Sequence, residues 1–275
     1  MNPFFEFMHF LHGEMERPTM YGWYHLLCLG ILFLGTFLIC YFAKDSSQKR
    51  FRLILGISWG VFLVFELYKQ LVMSFEYDGA NSYFEYNWYY LPFQFCSTPF
   101  YILPFLAFFP NKGKVSSFVY DSFLAFAGSF MFFAGIGVMF YPATVFVGKI
   151  GINIQTMVHH GMMVLLGAFI AVHERKKFDL HLIWKGIFPF LALCVIAITL
   201  NESLYGRVDG NVNMFFLSPH YACELPVLSS FQGKVPYPVF LLLYVVGFSA
   251  VGFAAFGVLY GANRLILHFE KNKEA

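Results

Sequence analysis

Charged residues are scarce in this chain of 275 residues: Asp, Glu, Lys and Arg make up 12% of it, whereas 59% is hydrophobic. An average soluble domain carries about 25% charged residues. So few charges cannot cover a surface that faces water, and the mean hydropathy of +0.62 points the same way. The composition therefore excludes an ordinary soluble globular protein and predicts a surface that mostly faces lipid.

Signatures of several common function classes are also missing from the sequence. The net charge is only +2 and no basic stripe occurs, so no nucleic-acid partner is expected. The five cysteines form no CxxC pair, and neither a P-loop nor an HExxH motif is present. We therefore expect no disulfide framework, no metal site and no other cofactor.

Long apolar runs, by contrast, are abundant. Seven of them reach about the 20 residues that a membrane-spanning helix needs. They cover residues 23–43, 52–74, 91–109, 117–141, 153–173, 181–205 and 237–267. The sequence thus predicts an all-α, polytopic transmembrane bundle of seven helices over residues 23–267. An interfacial segment, 1–22, precedes it, and a cytoplasmic tail, 268–275, follows.

Basic residues are distributed unevenly between the two sets of predicted loops. The loops after the first, third and fifth spans, together with the C-terminal tail, hold most of the Lys and Arg. Cytoplasmic loops are usually enriched in these residues. This bias predicts an N-terminus outside and a C-terminus in the cytoplasm. His173, Glu174 and His181 flank one of the basic loops and are predicted to be solvated.

Polar residues within the predicted spans lie at a common depth. Ionisable groups inside a membrane are costly, so each is a candidate for function. Counting along each helix at 1.5 Å per residue places the set about 6–12 Å from the end of the bundle that holds the N-terminus. Four spans contribute to it: the members are Glu66, Gln94, Cys96, His159, His160, Asn201 and Glu202.

Cysteine and histidine at one depth form a chemically meaningful pair. A thiolate is a strong nucleophile, and a nearby imidazole can take the proton of the thiol. Since His159 and His160 are adjacent, they point about 100° apart and only one is expected to face Cys96. Glu66 can orient the imidazole, but its spacing to Lys69 equally permits a structural ion pair within the helix.

Three short motifs carry a resemblance to a known family. They are Leu91-Pro92-Phe93-Gln94-Phe95-Cys96, His159-His160-Gly161, and Asn201 followed by residues 210–217. In this order they resemble the YwaF-like family of bacterial integral membrane proteins. That family is similar to a eukaryotic multi-span lipid acyltransferase that makes ether phospholipids with a Cys and a His. It is more distantly similar to the androgen-induced membrane hydrolases.

The resemblance implies roles for individual residues. Cys96 would be the nucleophile and His160 the base, because the motifs align best on His-Gly, with His159 as the second choice. Asn201 and Asn213 match asparagine positions of the family. The implied substrate is a membrane phospholipid or lysolipid, and the implied location is the bilayer of a bacterial plasma membrane.

Two classes of function stay open at this point. The first is an intramembrane lipid acyltransferase or lipid ester hydrolase with a Cys/His pair in the outer-leaflet half of the bundle. The second is a small-molecule or proton-coupled transporter that uses the same polar cluster as a relay. A metal-dependent hydrolase that also uses His25 is disfavoured, since no ligand spacing supports it. Nothing in the sequence indicates an oligomeric state.

Overall fold

Helices make up most of the fold. The computed structural model describes residues 3–77, 81–109 and 111–274. The α-helices are α1 (Pro3–His12), α2 (Trp23–Ala43), α3 (Gln48–Met73), α4 (Pro99–Phe108), α5 (Lys114–Phe126), α6 (Phe132–Phe140), α7 (Ile150–His173), α8 (Ile187–Leu204) and α9 (Tyr237–Glu274). A π-helical turn, Ala127–Met131, joins α5 to α6, and a small hairpin pairs β1 (Phe75–Tyr77) with β2 (Ser82–Phe84).

Among the described residues, six helical stretches are long and apolar enough to cross a membrane. They are Trp23–Ala43, Gln48–Met73, Lys114–Phe140, Ile150–His173, Ile183–Leu204 and Tyr237–Asn272. The prediction of an all-α membrane protein is thereby confirmed. Each stretch overlaps one of the predicted spans, with ends that differ by a few residues.

The segment 91–109, predicted as the third of seven spans, does not form a spanning helix. It contains a 3₁₀ turn, Phe95–Ser97, and the ten-residue helix α4. Ten residues rise about 15 Å, half the thickness of the hydrocarbon core. Proline explains the interruption, because Pro92 and Pro99 lack the N–H that a continuous helix needs. Helix α4 starts with Pro99, a position where that N–H is not required.

Contacts between distant segments define two ends of the bundle. At the first, which we call the amino end, the Tyr21 hydroxyl donates to the Phe140 carbonyl and the Tyr68 hydroxyl donates to the Leu11 carbonyl. At the opposite end, the carboxy end, the Gln48 amide donates to the Tyr120 hydroxyl. The segment from β2 to α5 therefore passes along the bundle from one end to the other with only one short α-helix.

Helix α7 occupies the centre of the bundle and is the most buried of the six long helices. Glycines allow its neighbours to approach closely. A Cβ atom at Gly135 of α6 would lie 2.8 Å from the His160 carbonyl oxygen, and one at Gly167 of α7 would lie 3.0 Å from the Ala127 carbonyl oxygen. Small residues at such contacts are the usual basis of tight helix packing in membranes. This packing fixes the position of the two candidate histidines.

Candidate functional site

Cys96 lies in the 3₁₀ turn Phe95–Ser97 that precedes α4. Cys96 is partly buried and packs against the hydrophobic core. The next residue but one, Thr98, is fully buried, and its hydroxyl has no hydrogen-bond partner within the described part of the chain. The interrupted third segment therefore brings a thiol and a free hydroxyl into the interior of the bundle.

His159 contacts the backbone of the Cys96 turn. Its Nε2 lies 2.8 Å from the Cys96 carbonyl oxygen, while the edge of its ring packs against Phe62 at 4.7 Å between centroids. A carbonyl oxygen only accepts hydrogen bonds, so Nε2 must carry the proton of a neutral ring. The Nδ1 atom is then an acceptor, and it is buried without a partner among the residues described.

His160 has the opposite tautomer. Its Nδ1 lies 2.8 Å from the Thr156 carbonyl oxygen in the preceding turn of α7, so this nitrogen carries the proton. The Nε2 atom keeps its lone pair and makes no hydrogen bond with any residue in 3–77, 81–109 or 111–274. The centroids of the two imidazoles are 5.3 Å apart. A neutral histidine with a free lone pair is the form that a general base requires.

The structure thus brings Cys96 and both histidines together, as the common depth predicts. The link between them runs through the peptide carbonyl of Cys96. Over the described ranges, the Cys96 sulfur makes no hydrogen bond with either imidazole. Such contacts are often long before substrate binds, so their geometry alone does not decide the role of a residue.

Glu66 forms the ion pair that its spacing allows. Its Oε1 lies 2.9 Å from the Lys69 ammonium and 2.6 Å from the Gln70 amide nitrogen, which also donates to the Tyr90 carbonyl. Glu66 is one turn along α3 from Phe62, the residue that packs on His159. Both Glu66 and Lys69 are within electrostatic reach of the Cys96 thiol. The carboxylate is therefore part of the polar cluster without contacting a histidine.

Gln94 and Asn201, two of the predicted supporting residues, bind the backbone of the long loop 206–236. The Gln94 side chain donates to the Asn213 carbonyl and accepts from the Phe215 N–H, each at 3.1 Å. Asn201 accepts from the Met214 N–H at 2.6 Å and donates to the Met214 carbonyl at 3.1 Å. The side-chain amides of Gln94 and Asn201 therefore position the loop. None of these four hydrogen bonds involves the Cys96 thiol.

Asn213 and a residue missed by the sequence analysis, Gln232, close the loop on itself. Asn213 donates to the Ala222 carbonyl and accepts from the Ser218 N–H, each at 3.0 Å. Gln232 donates to the carbonyls of Ser218 and Tyr221 at 3.1 and 2.9 Å. No pattern in the sequence distinguishes Gln232 from any other glutamine in a turn-rich loop.

Two bulky residues in the loop have a backbone conformation that side chains rarely adopt. Phe215 and Phe216 have φ angles of 57° and 56°. Left-handed conformations of such residues cost free energy and persist only where the surroundings hold them. The Phe215 ring packs on Phe93 and Phe95, which belong to the motif that ends in Cys96, with centroids 5.8 and 5.1 Å apart. The loop is thereby fixed against the Cys96 turn.

An apolar groove of about 340 Å³ opens between α4, α5 and α8. Its wall includes Tyr101, Phe105, Phe123 and Leu193. The Tyr101 hydroxyl donates to the Pro92 carbonyl, so this end of the groove is tied to the segment that carries Cys96. At the other end, Phe118 and Phe188 meet edge to face with centroids 5.2 Å apart. Nearly all of the residues that line the groove are apolar.

His25, the additional ligand that a metal site would need, has other partners. His25 accepts from the Tyr21 N–H at 2.9 Å through Nδ1, and its Nε2 lies 2.7 Å from the Met139 carbonyl. Both ring nitrogens of this histidine therefore have partners. Among the residues that the structure describes, no group of three His, Cys, Asp or Glu side chains is placed to hold a metal ion.

The model of the TMEM164 family matches residues 20–260 of this chain. This chain belongs to the TMEM164 family. No curated protein and no solved structure matches it. Together with the six apolar helices, the match identifies an integral membrane protein. The YwaF-like relationship and the acyltransferase activity that it implies stay predictions.

The carboxy end of this TMEM164 family member holds a second polar cluster, on residues predicted to be solvated. Glu174 is only 7% exposed, and its carboxylate lies 2.9 Å from the Lys177 ammonium and 3.6 Å from the His173 ring. Burial alone would raise the pKa of Glu174, but the hydrogen bonds from His173 and Lys177 lower it to about 2. His181 is exposed, as predicted. For Glu174 and His173 the prediction is wrong, because Glu174 is buried against the Tyr120 hydroxyl and the His173 ring lies 2.9 Å from the Ser46 carbonyl.

Arg175 joins three segments at this end. Its guanidinium donates to Asp45 at 2.6 Å, to Glu270 at 3.0 and 3.3 Å, and to the carbonyls of Lys44 and Val172. All of its nitrogens are thereby engaged. The cluster ties the end of α9 to the loop after α2 and to the end of α7, and no donor of Arg175 is left for a ligand.

Proposed function

We propose that this protein is an intramembrane lipid acyltransferase or lipid ester hydrolase that uses a Cys/His pair. The observation that carries the proposal is the bond from His159 to the Cys96 carbonyl. This bond supports a single buried site that contains the free Nε2 of His160, on α7, and the thiol of Cys96, on the interrupted segment. The resemblance of the motifs to a Cys/His acyltransferase adds independent support.

The chemistry follows the usual course of a thiol nucleophile. His160 Nε2 takes the thiol proton, and the Cys96 sulfur attacks the ester carbonyl carbon of a lipid. The ester C–O bond breaks, and the departing lysolipid oxygen takes the proton from the imidazolium. A thioester between the acyl group and Cys96 remains.

The second half of the reaction regenerates the enzyme. His160 takes a proton from the hydroxyl of a lysolipid, or from water, and the oxygen attacks the thioester carbonyl. The C–S bond breaks and the thiolate receives the proton from the imidazolium. The Thr98 hydroxyl, buried and without a partner among the described residues, is the donor available to the oxyanion in both halves.

The groove between α4, α5 and α8 would hold the acyl chain. The residues of α8 that line it extend from Phe188 to Ile196, a rise of about 12 Å. Its tie to the Cys96 segment through Tyr101 supports an ester carbonyl at the thiol and a chain that extends towards the carboxy end. The lipid would enter sideways from the bilayer.

We further propose an orientation for the protein. The loop charges favour the amino end outside and the carboxy end in the cytoplasm. Residues 1–22, which include the short helix α1, would lie on the outer interface, and residues 268–275 would form the cytoplasmic tail. The resemblance to the YwaF-like family favours the plasma membrane of a bacterium, and the substrate would come from its outer leaflet.

Labelling with a lipid-like, thiol-reactive probe in native membranes tests the proposal. We expect labelling of wild type, loss of labelling in Cys96→Ser, and strong reduction in His160→Gln. Cys40→Ser is the matched control, because Cys40 is also partly buried and lies on α2, away from the site. Labelling that survives Cys96→Ser would remove Cys96 as the reactive group.

A transporter is the second candidate, favoured by the interrupted segment 91–109 and by the free Oε2 atom of buried Glu66. Broken helices with polar side chains near the middle of the membrane are typical of carriers. The two functions separate in liposomes. Substrate flux that is unchanged in Cys96→Ala but lost in Glu66→Gln would support the transporter and contradict the acyl-enzyme.

A further inference from the structure

The ion pair between Lys69 and Glu66 has no part in the proposed proton transfers. Their side chains are only 17% and 9% exposed and face the interior of the membrane protein, close to Cys96. Charges within a bilayer are costly and usually mark a binding or transfer function. Replacement of a buried ion pair by apolar residues is often stabilising, so stability does not explain this one.

The hydrogen-bonding capacity of the pair is not saturated. Within the described ranges, Glu66 Oε1 is the bonding partner of the Lys69 ammonium, which carries three N–H groups. Glu66 Oε2 and Gln70 Oε1 are both buried and have no partner there. The cluster thus offers N–H donors on Lys69, and beside them the free acceptor oxygens of Glu66 and Gln70. It is complementary to a ligand that carries a phosphate next to a donor or a positive charge.

The depth of Lys69 suits the head of a lipid whose ester carbonyl is at Cys96. Lys69 lies four residues before the end of α3 at Met73, about 6 Å from that end. His159 lies nine residues into α7, at a depth of about 14 Å from the same end. In a glycerophospholipid the phosphate is a few bonds from the ester carbonyl, on the side of the interface. The offset between the two residues matches that arrangement.

Lys69 is also the cation that acts electrostatically on Cys96 and on the two candidate histidines. It is within electrostatic reach of the Cys96 thiol and of both imidazoles. A phosphate at Lys69 would therefore hold the lipid within electrostatic reach of both reacting groups, the Cys96 thiol and the His160 imidazole.

We propose that Lys69 binds the phosphodiester of the lipid substrate and that Glu66 discriminates against additional negative charge on its head group. The proposal rests on the function proposed above and assigns specificity to a pair that the reaction itself does not need. Lys69 attracts the negative charge of the phosphodiester, whereas Glu66 repels further negative charge on the head group of the same lipid.

Substitutions at the two positions should change substrate preference in opposite directions. Lys69→Met removes the charge and keeps the length of the side chain, so lipids with a phosphate lose their advantage over neutral lipids. Glu66→Gln keeps a hydrogen bond to Lys69 and removes the repulsion, so anionic phospholipids gain relative to zwitterionic ones. A merely structural pair would lower the rate with every lipid in both variants.

The experiment measures acylation of Cys96 by mass spectrometry in protein reconstituted with one of three donors that share the same acyl chains. The donors are phosphatidylcholine, phosphatidylglycerol and diacylglycerol. In Lys69→Met we expect the ratio of phosphatidylcholine to diacylglycerol rates to fall about tenfold, the effect of one charge-assisted hydrogen bond. In Glu66→Gln the ratio of phosphatidylglycerol to phosphatidylcholine rates should rise. Lys234→Met, at an exposed lysine outside the membrane helices, is the control.

The outcomes separate this proposal from the function on which it rests. Equal changes with all three donors, or none, would overturn the assignment of Lys69 and Glu66 while leaving the acyl-enzyme intact. Absence of acylation in wild type with every donor would instead contradict the proposed function. Native mass spectrometry of retained phosphatidylcholine in Cys96→Ala, with and without Lys69→Met, then tests the lipid contact without the chemistry. Equal retention would overturn it.

Discussion

The Nε2 atom of His159 lies 2.8 Å from the backbone carbonyl oxygen of Cys96. The two adjacent histidines therefore differ in role, since one binds the main chain of the candidate nucleophile and the other has a free ring nitrogen. Either could serve as the base when only their order in the sequence is considered. Their hydrogen bonds favour His160 as the base and His159 as a positioning residue.

Substitution of the two histidines should separate these roles. His160→Gln removes the base and should lower acyl transfer about 10²–10⁴-fold. His159→Gln retains an N–H donor for the Cys96 carbonyl and should keep most of the activity. His159→Phe leaves that buried carbonyl unpaired and should cost about 1–3 kcal/mol of stability. Acyl-transfer rates and Tm in detergent measure the three effects.

The reverse result would reassign the two residues. If His159→Gln abolished transfer at unchanged Tm while His160→Gln stayed active, His159 would be the base. Thr156→Val is not a suitable control for His160, because the accepting group is the backbone carbonyl of Thr156.

Asn201 should be essential for the position of the long loop. Asn201→Ala would leave the Met214 N–H buried and unpaired and would remove one of the two hydrogen bonds of the Met214 carbonyl, at a cost of about 1–3 kcal/mol. We expect a lower Tm and faster proteolysis within residues 206–236. Asn211→Ala, an exposed asparagine in the same loop, should change stability by less than about 0.5 kcal/mol. Equal effects of the two variants would argue against the positioning role.

Glu174 should make stability depend on pH in the acid range. Its pKa in the folded protein is about 2, below the ordinary value of 4.5. A lowered carboxyl pKa stabilises the folded state above pH 4.5, and this contribution is lost as the pH falls towards 2. The difference is of the order of 3 kcal/mol at most.

Thermal unfolding at several pH values checks this expectation. At pH 6, Glu174→Gln should have a lower Tm than wild type. The difference should shrink as the pH is lowered from 4.5 and vanish near pH 2. A constant difference over this range would show that the carboxylate is not the titrating group.

The groove between α4, α5 and α8 should set the preferred length of the acyl chain. Ala192 lines it, so Ala192→Phe fills part of its volume and should shift preference towards shorter donors. The measured quantity is the ratio of rates with long- and short-chain esters of the same head group. Val195→Phe is the matched control, because Val195 is exposed on the same helix and is outside the groove lining. An equal shift in both variants would exclude the groove.

Much of the fold was predictable, because long apolar runs report membrane-spanning helices directly. The prediction failed at residues 91–109, where hydropathy is high but proline interrupts the hydrogen-bond pattern that a helix needs. Hydropathy measures whether a segment can enter a lipid environment. It does not report whether the segment stays helical once other helices surround it.

The site was predictable in part for a similar reason. The common depth of Cys96 and the histidines agrees with the bond from His159 to the Cys96 carbonyl, while the roles of these residues stay predictions; the spacing of Glu66 and Lys69 gave their ion pair. The contacts of Asn201 and Gln94 with the loop were not predictable, since they depend on how residues 206–236 fold back. Burial of Glu174 was missed because it depends on Tyr120 of α5, which is distant in the sequence.

Helix α9, with 38 residues, is about 57 Å long. A bilayer with its head groups is only about 40–45 Å thick. Even with some tilt, the last turns of this helix therefore extend beyond the bilayer into water and remain helical there. Trypsin cleavage at the exposed Lys271, in sealed vesicles of known sidedness, will consequently report which face of the membrane the chain ends on.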